Sequence, residues 1–391
     1  MNEQLPSHWP HYSQDELDLA RDVLVSGKVN YWTGEEGRHF EREFAQFVGT
    51  NYAIVLANGT LALELALVAL NLQPGDEVVV TPRSFIASAS CVAMHGMKPV
   101  FADVDLDSQN VTAESIERVL TPRTKMILPV HLAGWPCDME PIMQLAKDRQ
   151  LFVVEDCAQA HGATYKGKSV GSFGEIAAWS FCQDKIMSTA GEGGMITLND
   201  ESLWNKAWSY KDHGKSYEAV YHKEHPIGFR WLCETFGSNW RLPELQSAIG
   251  RKQLKKLPEW ARLRRRNAQI LIDRFAELPA LRIPVPSAES EHAYYKFFVF
   301  VRPECLKEDW NRNRIMETIS ERRVFCQSGG CAEIYLEEAF RKAGYGLEKR
   351  LPKAQELGET SLMFQVHPTL EEEQMHRVAD VVVQVVKEAT R

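Results

Sequence analysis

Between residues 13 and 200 the apolar positions follow two rhythms that take turns. Some stretches space them three and four apart, as one face of a helix does, and others pack them into short continuous runs, as buried strands do. The segment QDELDLARDVLVS (14–26) is of the first kind. Ser13 with Glu16 makes a capping-box pattern before it, and Gly27 stops it. A second helix is predicted over EEGRHFEREFAQFVGT, ending near Gly49. YAIVLA (52–57) reads as a strand, and GTLALELALVAL as a buried helix that begins at Gly59 or Thr60. Then come GDEVVVTP, a strand closed by Pro82, SFIASASCVAMHG, a helix, and KPVFADV, a strand. SIERVL and MEPIMQLAKDR are predicted helices, while TKMILPVHL, LFVVEDCA, IAAWSF and GGMITL are predicted strands. Such alternation implies a mainly parallel sheet covered by helices, with ligands at the carboxyl ends of its strands.

After residue 200 the rhythm changes. The stretch from Tyr210 to Arg241 is polar, aromatic and punctuated by glycine, and it reads as a long loop region. From Pro243 to about Phe275 the pattern is helical, with Pro258 expected to break or kink it. A smaller α/β unit follows, built on YYKFFVFV as a strand, NRIMETISERRV as a helix and EEEQMHRVADVVVQVVKEAT as the last helix. The expected division is a large domain over 1–258 and a small one over 259–391.

Composition narrows the picture. The chain has 391 residues, enough for two domains, and a formal charge of -8 with no general nucleic-acid footprint. The densest basic run, Arg262 with Arg264 to Arg266, is expected to be a solvated helix face. Eight scattered cysteines without a CxxC pair suggest free, largely buried thiols in a reducing compartment. The N-terminal stretch MNEQLPSHWPHYSQDEL lacks the apolar core of a signal peptide, and no apolar run approaches a membrane span, so a cytoplasmic location is expected.

Three places carry candidate chemistry. Asn58, Gly59 and Thr60 follow a strand and open a helix, where free N–H groups and the helix dipole suit a phosphate. A plain turn and cap would use the same residues, and neither a P-loop nor a GxGxxG pattern is present. Asp156 closes a buried strand, where a carboxylate can serve a metal, a ribose or a protonated ring nitrogen, or simply cap a helix. His161 lies nearby, but no HxH or HxxxH spacing supports a metal site. Lys185 follows an apolar strand and precedes TAGEGG. It can be a surface charge, a phosphate contact, or an amine that forms a Schiff base.

Residues 153–200, VVEDCAQAHGATYKGKSVGSFGEIAAWSFCQDKIMSTAGEGGMITLND, closely resemble the pyridoxal-phosphate-dependent sugar aminotransferases of the DegT/DnrJ/EryC1/StrS family. So do residues 56–89, PVHLAGWPCDM (129–139), GSNWRLPELQSAIGRKQL (237–254) and HAYYKFFVF (292–300), in the same order along the chain. The resemblance implies an aspartate-aminotransferase-like, fold type I architecture. It implies that Lys185 binds pyridoxal 5'-phosphate covalently and that Asp156 pairs with its pyridine nitrogen. Gln159 would lie beside the phenolic oxygen, Phe85 would stack on the ring, and Gly59, Thr60 and Ser180 would hold the phosphate. Asn239 matches a residue that reaches the phosphate in the neighbouring subunit, which implies a homodimer with shared sites. His161 matches a common family residue without a fixed role. TAGEGG is then a tight turn near the lysine.

The implied reaction moves an amino group from an amino acid, expected to be L-glutamate (leaving 2-oxoglutarate), to a nucleotide-linked keto-sugar. The product would be an amino sugar for lipopolysaccharide, other polysaccharide or related biosynthesis, without nucleic-acid partners or membrane insertion. Two alternatives are a cofactor-dependent keto-sugar dehydratase, whose relatives usually carry histidine at the lysine position, and a non-catalytic cofactor- or sugar-binding regulator. FCQDK departs from the commoner family wording, which makes Cys182 and Gln183 packing or selectivity residues. The stretch Trp208 to Trp240 and SGGCAEIY (328–335) are expected to line the sugar pocket.

Overall fold

The computed structural model describes residues 9–391; part of the N-terminal stretch read above, residues 1–8, lies outside them. The local signals in the first half of the chain become the elements they predict. Ser13 and Glu16 close a reciprocal capping box on helix Gln14–Ser26, and Gly27 ends it in the left-handed conformation. Gly49 does the same for helix Glu36–Val48. Asn58 caps helix Gly59–Ala69 by accepting from the Leu61 amide.

Seven strands form one sheet in the order Tyr52–Leu56, Gly194–Leu198, Ile176–Ser180, Phe152–Asp156, Thr124–Leu128, Glu77–Val80 and Lys98–Phe101. The pairings among the last five are parallel, while Gly194–Leu198 runs antiparallel to both its neighbours. Most strand residues are buried, which is why these segments read as apolar runs and not as alternating patterns. The second unit is a three-stranded antiparallel sheet, Leu281–Arg282, Phe297–Val301 and Ser361–Phe364, packed with helices Arg312–Glu321 and Glu372–Ala389. This is the mixed α/β architecture of fold type I, a large domain with a mainly parallel sheet and a smaller C-terminal α/β domain.

Several expectations need correction. Helix Glu244–Phe275 runs through Pro258 without the break expected there. Ile334, Tyr335 and Phe340, from the C-terminal third of the chain, pack into the core of the large sheet. The stretch after Tyr210 is not all loop: Ser216 caps a short helix, Tyr217–Tyr221. Arg264 is no solvated charge but is 1% exposed, its guanidinium 5.0 Å from the Trp9 ring. Of the eight free cysteines four are buried, and Cys233 is exposed. Among the described residues no helix is long and apolar enough to cross a membrane.

Three buried histidines make the fold acid-sensitive. Burial holds His161, His292 and His367 neutral, each pushed down to about 3, and the nearby cations Arg264, Lys185, Lys296 and Arg265 push the same way. A histidine depressed in the folded state contributes stability above its unfolded value, about 6.5, and loses it as pH falls toward the folded value. Each group costs about 1.4 kcal/mol per pH unit once the unfolded chain is protonated, so the three together cost up to about 4. The urea midpoint should therefore drop steeply between pH 6.5 and 4.5. A flat midpoint over that range would show that these rings are protonated in the native state.

Candidate active site

Strands that end together build one large cavity of about 970 Å³ at the carboxyl edge of the parallel strands. Strand Phe152–Asp156 buries Val153 and Val154 completely and delivers Asp156 to the cavity. Asp156 is 4% exposed. Its Oδ2 accepts from Ser88 Oγ at 2.7 Å and its Oδ1 from the Ala158 amide at 3.1 Å. Burial raises its pKa, against those two hydrogen bonds and the nearby amine of Lys185. A carboxylate in this setting lacks a full complement of donors and favours a cationic N–H partner from the cavity.

Gln159 lies just beyond. Its Oε1 accepts from the Ala133 amide at 2.8 Å, which fixes the side-chain orientation, since a backbone N–H can only donate. The amide NH₂ is the end left to serve a ligand. Ala133 and Gly134 both have positive φ in the turn that presents this amide. A Cβ at Gly134 would come within 3.1 Å of the Gln159 carbonyl and 3.0 Å of Ala293, so the turn requires glycine there.

At the start of helix Gly59–Ala69 the Asn58 side chain satisfies the Leu61 amide. Among the described residues the Gly59 and Thr60 amides find no acceptor and border the cavity beside Ser180. A Cβ on Gly59 would lie 2.6 Å from that of Ser180, and one on Gly194 would lie 2.2 Å from the Asn58 carbonyl. Two glycines thus let three backbone segments converge on a small anion cradle. Phe85 shows its ring to the cavity and is 64% exposed.

Lys185 sits on a tightly bonded loop. Phe181 and Gln183 donate to Gly193 and Gly191 at 2.7 and 2.9 Å, the Lys185 amide donates to Cys182 at 3.0 Å, and Ile186 and Met187 are wholly buried. TAGEGG is a turn, with Ala190 and Gly191 at positive φ and Thr189 Oγ1 bonded to the Glu192 carbonyl. The loop aims Lys185 Nζ into the cavity, 3.8 Å from Asp184 Oδ1 and 4.9 Å from the Tyr295 ring centroid. Asp184 is held in turn by the Tyr295 hydroxyl.

Gly59, Thr60, Phe85, Asp156, Gln159, Ser180 and Lys185 thus share one cavity. His161 and Asn239 do not line it. His161 is enclosed between the rings of Trp179 and Phe181. Asn239 is exposed, with backbone bridged to Asp212. The expected sugar-pocket residues also move: nothing from Trp208 to Trp240 lines the cavity of the single chain, and Tyr335 is fully buried, its hydroxyl accepting from the Leu351 amide. Of SGGCAEIY, Gly329, Gly330 and Cys331 do reach the cavity. Sequence reading missed Ser88, Arg83, Tyr295 and Lys296. Ser88 had a signal, since it lies on helix Ala87–Met94 directly after the aromatic Phe85.

His131, Glu155 and Cys157 offer three potential metal ligands within 4.8 Å of one another. His131 and Glu155 are already engaged by protein partners. His131 Nδ1 accepts from the Cys137 amide, which leaves Nε2–H to donate to Glu155, and Glu155 also accepts from the amides of Gly171, Phe173 and Gly174. This is a saturated buried network behind the sheet edge.

The residues present fit pyridoxal phosphate: a phosphate cradle, a buried acid for a ring nitrogen, an exposed aromatic face and an amine meet in one cavity. The chain is 54% identical to an aminotransferase of Psychrobacter cryohalolentis whose structure superposes with a TM-score of 0.97, covering 98% of this chain and 99% of that one. It is 35% identical over 369 residues (93% of each chain) to the UDP-N-acetyl-3-dehydro-alpha-D-glucosamine 3-aminotransferase of Acidithiobacillus ferrooxidans. It is 32% identical over 374 residues (95% of each chain) to the GDP-perosamine synthase of Escherichia coli O157:H7. The sequence model of the DegT/DnrJ/EryC1/StrS aminotransferase family matches residues 10–383, so the chain belongs to that family and is a pyridoxal-phosphate-dependent aminotransferase.

Proposed function

We propose that the protein transfers an amino group from L-glutamate to a keto-sugar carried on a nucleoside diphosphate. The observation that carries this reading is the placement of Lys185 Nζ in the same cavity as Asp156 and the Gly59–Thr60–Ser180 cradle. Relatives named for UDP- and GDP-linked sugars support the substrate class, and their different nucleotides leave the base open. Bound here, pyridoxal phosphate supplies a ring that takes up the electron pair left on the donor's α-carbon. The Gly59 and Thr60 amides with Ser180 Oγ would hold its phosphate, and Phe85 would cover one face. Asp156 would hold the ring nitrogen protonated through a charge-assisted hydrogen bond, and the Gln159 NH₂ would donate to the ring oxygen. Lys185 Nζ would be the base that removes the donor's α-proton and the acid that returns a proton to the sugar carbon.

A dehydratase reading loses support at Lys185, because an amine that accepts and returns the proton serves both half-reactions of amino transfer. The deciding experiment incubates the protein with glutamate and a panel of nucleotide-linked 3-keto and 4-keto sugars. An amino sugar and 2-oxoglutarate should appear in equal amounts. Accumulation of a deoxy-keto-sugar without 2-oxoglutarate would establish the dehydratase instead.

The functional unit in this reading is a homodimer. Residues 222–239 form an irregular segment that exposes Ile227, Phe229, Trp231 and Phe236, between 78% and 108% accessible, a density of apolar side chains that a free surface rarely carries. Asn239 ends that segment, just before helix Glu244–Phe275. If it reaches the partner's phosphate cradle, Asn239→Ala should stay folded and dimeric yet lose cofactor on dialysis, by roughly 1.5–3 kcal/mol for a charge-assisted hydrogen bond. Retention equal to the parent would reduce Asn239 to a turn residue.

A further inference from the structure

Among the described residues, two cations on one wall of the cavity have no anionic partner. Lys296 faces the cavity with no ion pair or hydrogen bond among the described residues, its ammonium 4.7 Å from the Tyr295 ring centroid. Arg83 is 2% exposed. Its Nε donates to Gln109 Oε1 at 2.8 Å, but both terminal nitrogens are buried without an acceptor. The guanidinium lies 5.6 Å from the Phe298 ring centroid. Phe298, which carries the Arg83 guanidinium against its ring, follows Lys296 by two positions and also lines the cavity, which sets the two cations along the same stretch of its wall. Of the acids around the cavity, Asp156 is bonded to Ser88 and Asp184 to Tyr295, and neither these nor Glu192 and Glu337 form an ion pair with Lys296 or Arg83 among the described residues. A buried, unpaired guanidinium is costly to keep, and the charge that would neutralise it must come from a ligand.

We infer that Lys296 and Arg83 recognise the two carboxylates of a dicarboxylic amino donor and of the 2-oxo acid it leaves behind. This deepens the amino-transfer reading and rests on it. The free edge of Arg83 presents two parallel donors, the fork that matches a carboxylate. The diphosphate of a nucleotide-sugar would offer the same negative charge. It is an internal link, however, flanked by ribose on one side and sugar on the other. An enclosed guanidinium can receive only a terminal, planar group, whereas Lys296, open to the cavity, takes the second carboxylate.

The test titrates glutarate, a dicarboxylate without an amino group, into the cofactor-loaded protein by calorimetry, with UDP and GDP titrated in parallel. Lys296→Met keeps the apolar stem and removes the charge, and Arg83→Met does the same at the second position. In each variant glutarate should bind about tenfold or more weakly, as loss of a charge-assisted contact requires, with nucleotide affinity unchanged. Lys296→Arg should restore most of the loss. A parent that does not bind glutarate, a Lys296→Met variant that binds it as the parent does, or a loss that falls on the nucleotides instead would each overturn the assignment. If Arg83→Met fails to fold, the two Lys296 variants decide. Failure of the amino-transfer reading is separable: glutamate would then leave the cofactor's visible absorption unchanged in the parent even where glutarate binds.

Discussion

Lys185→Ala should bind pyridoxal phosphate without a covalent bond and should not turn over. Borohydride reduction followed by mass spectrometry gives a readout independent of activity. The parent should retain one cofactor mass on the peptide containing Lys185, and the variant none. The activity loss should be at least on the order of 10²–10⁴, the range for removing a positioned general acid–base, and larger because the covalent anchor goes with it. Folding should survive, since the loop is held by backbone bonds at Phe181, Gln183 and Thr189 and by the buried Ile186 and Met187, not by the lysine amine. Among the described residues Lys296 is the one alternative lysine that lines the cavity, and its placement beside Tyr295 makes it a control. If Lys185→Ala still carries a reducible cofactor, and Lys185→Ala with Lys296→Met does not, then Lys296 can substitute and the assignment of Lys185 as the sole covalent residue is wrong.

What sequence made legible follows from how local each signal is. Ser13 with Glu16, Gly27, Gly49 and Asn58 act within one helix turn, and all four end or cap the helices they predict. Asp156 was legible because a buried strand must end where the sheet meets solvent, and its last residue faces the ligand side. Long-range packing was not legible. Four arginines in five positions read as a wet helix face, yet helical geometry turns Arg264 inward, under Trp9 from the other end of the chain. Arg83 and Lys296 lie 213 positions apart, and no local pattern links them; only the fold places them on one cavity. The aromatics between Trp208 and Trp240 misled for the same reason. Trp208 packs against Trp32 and Tyr217, and the exposed ones do not line the cavity of their own chain.

Asp156→Asn separates what this carboxylate costs the fold from what it gives the reaction. The side chain is nearly isosteric: its amide oxygen can still accept from the Ala158 amide, and its NH₂ takes the place of the other oxygen and can donate to Ser88 Oγ, a hydroxyl that also accepts. Burial is the largest influence on the carboxyl and raises its pKa. A raised acid contributes stability below its unfolded value, about 3.8, and loses it as pH rises through the folded value; at pH 7 the ionised group is therefore a net cost. Cofactor-free Asp156→Asn should melt at or above the parent temperature at pH 7, as is common when a buried charge is replaced by a neutral group of the same shape. With cofactor the order should reverse. The parent gains a charge-assisted bond to the ring nitrogen and the linked rise in melting temperature, and the variant gains less of both. Turnover should fall on the order of 10²–10³, the scale for losing one preorganised electrostatic contact to charge that develops in the transition state. A variant less stable than the parent without cofactor, yet equally active with it, would make Asp156 a structural cap and move the ring-nitrogen role elsewhere.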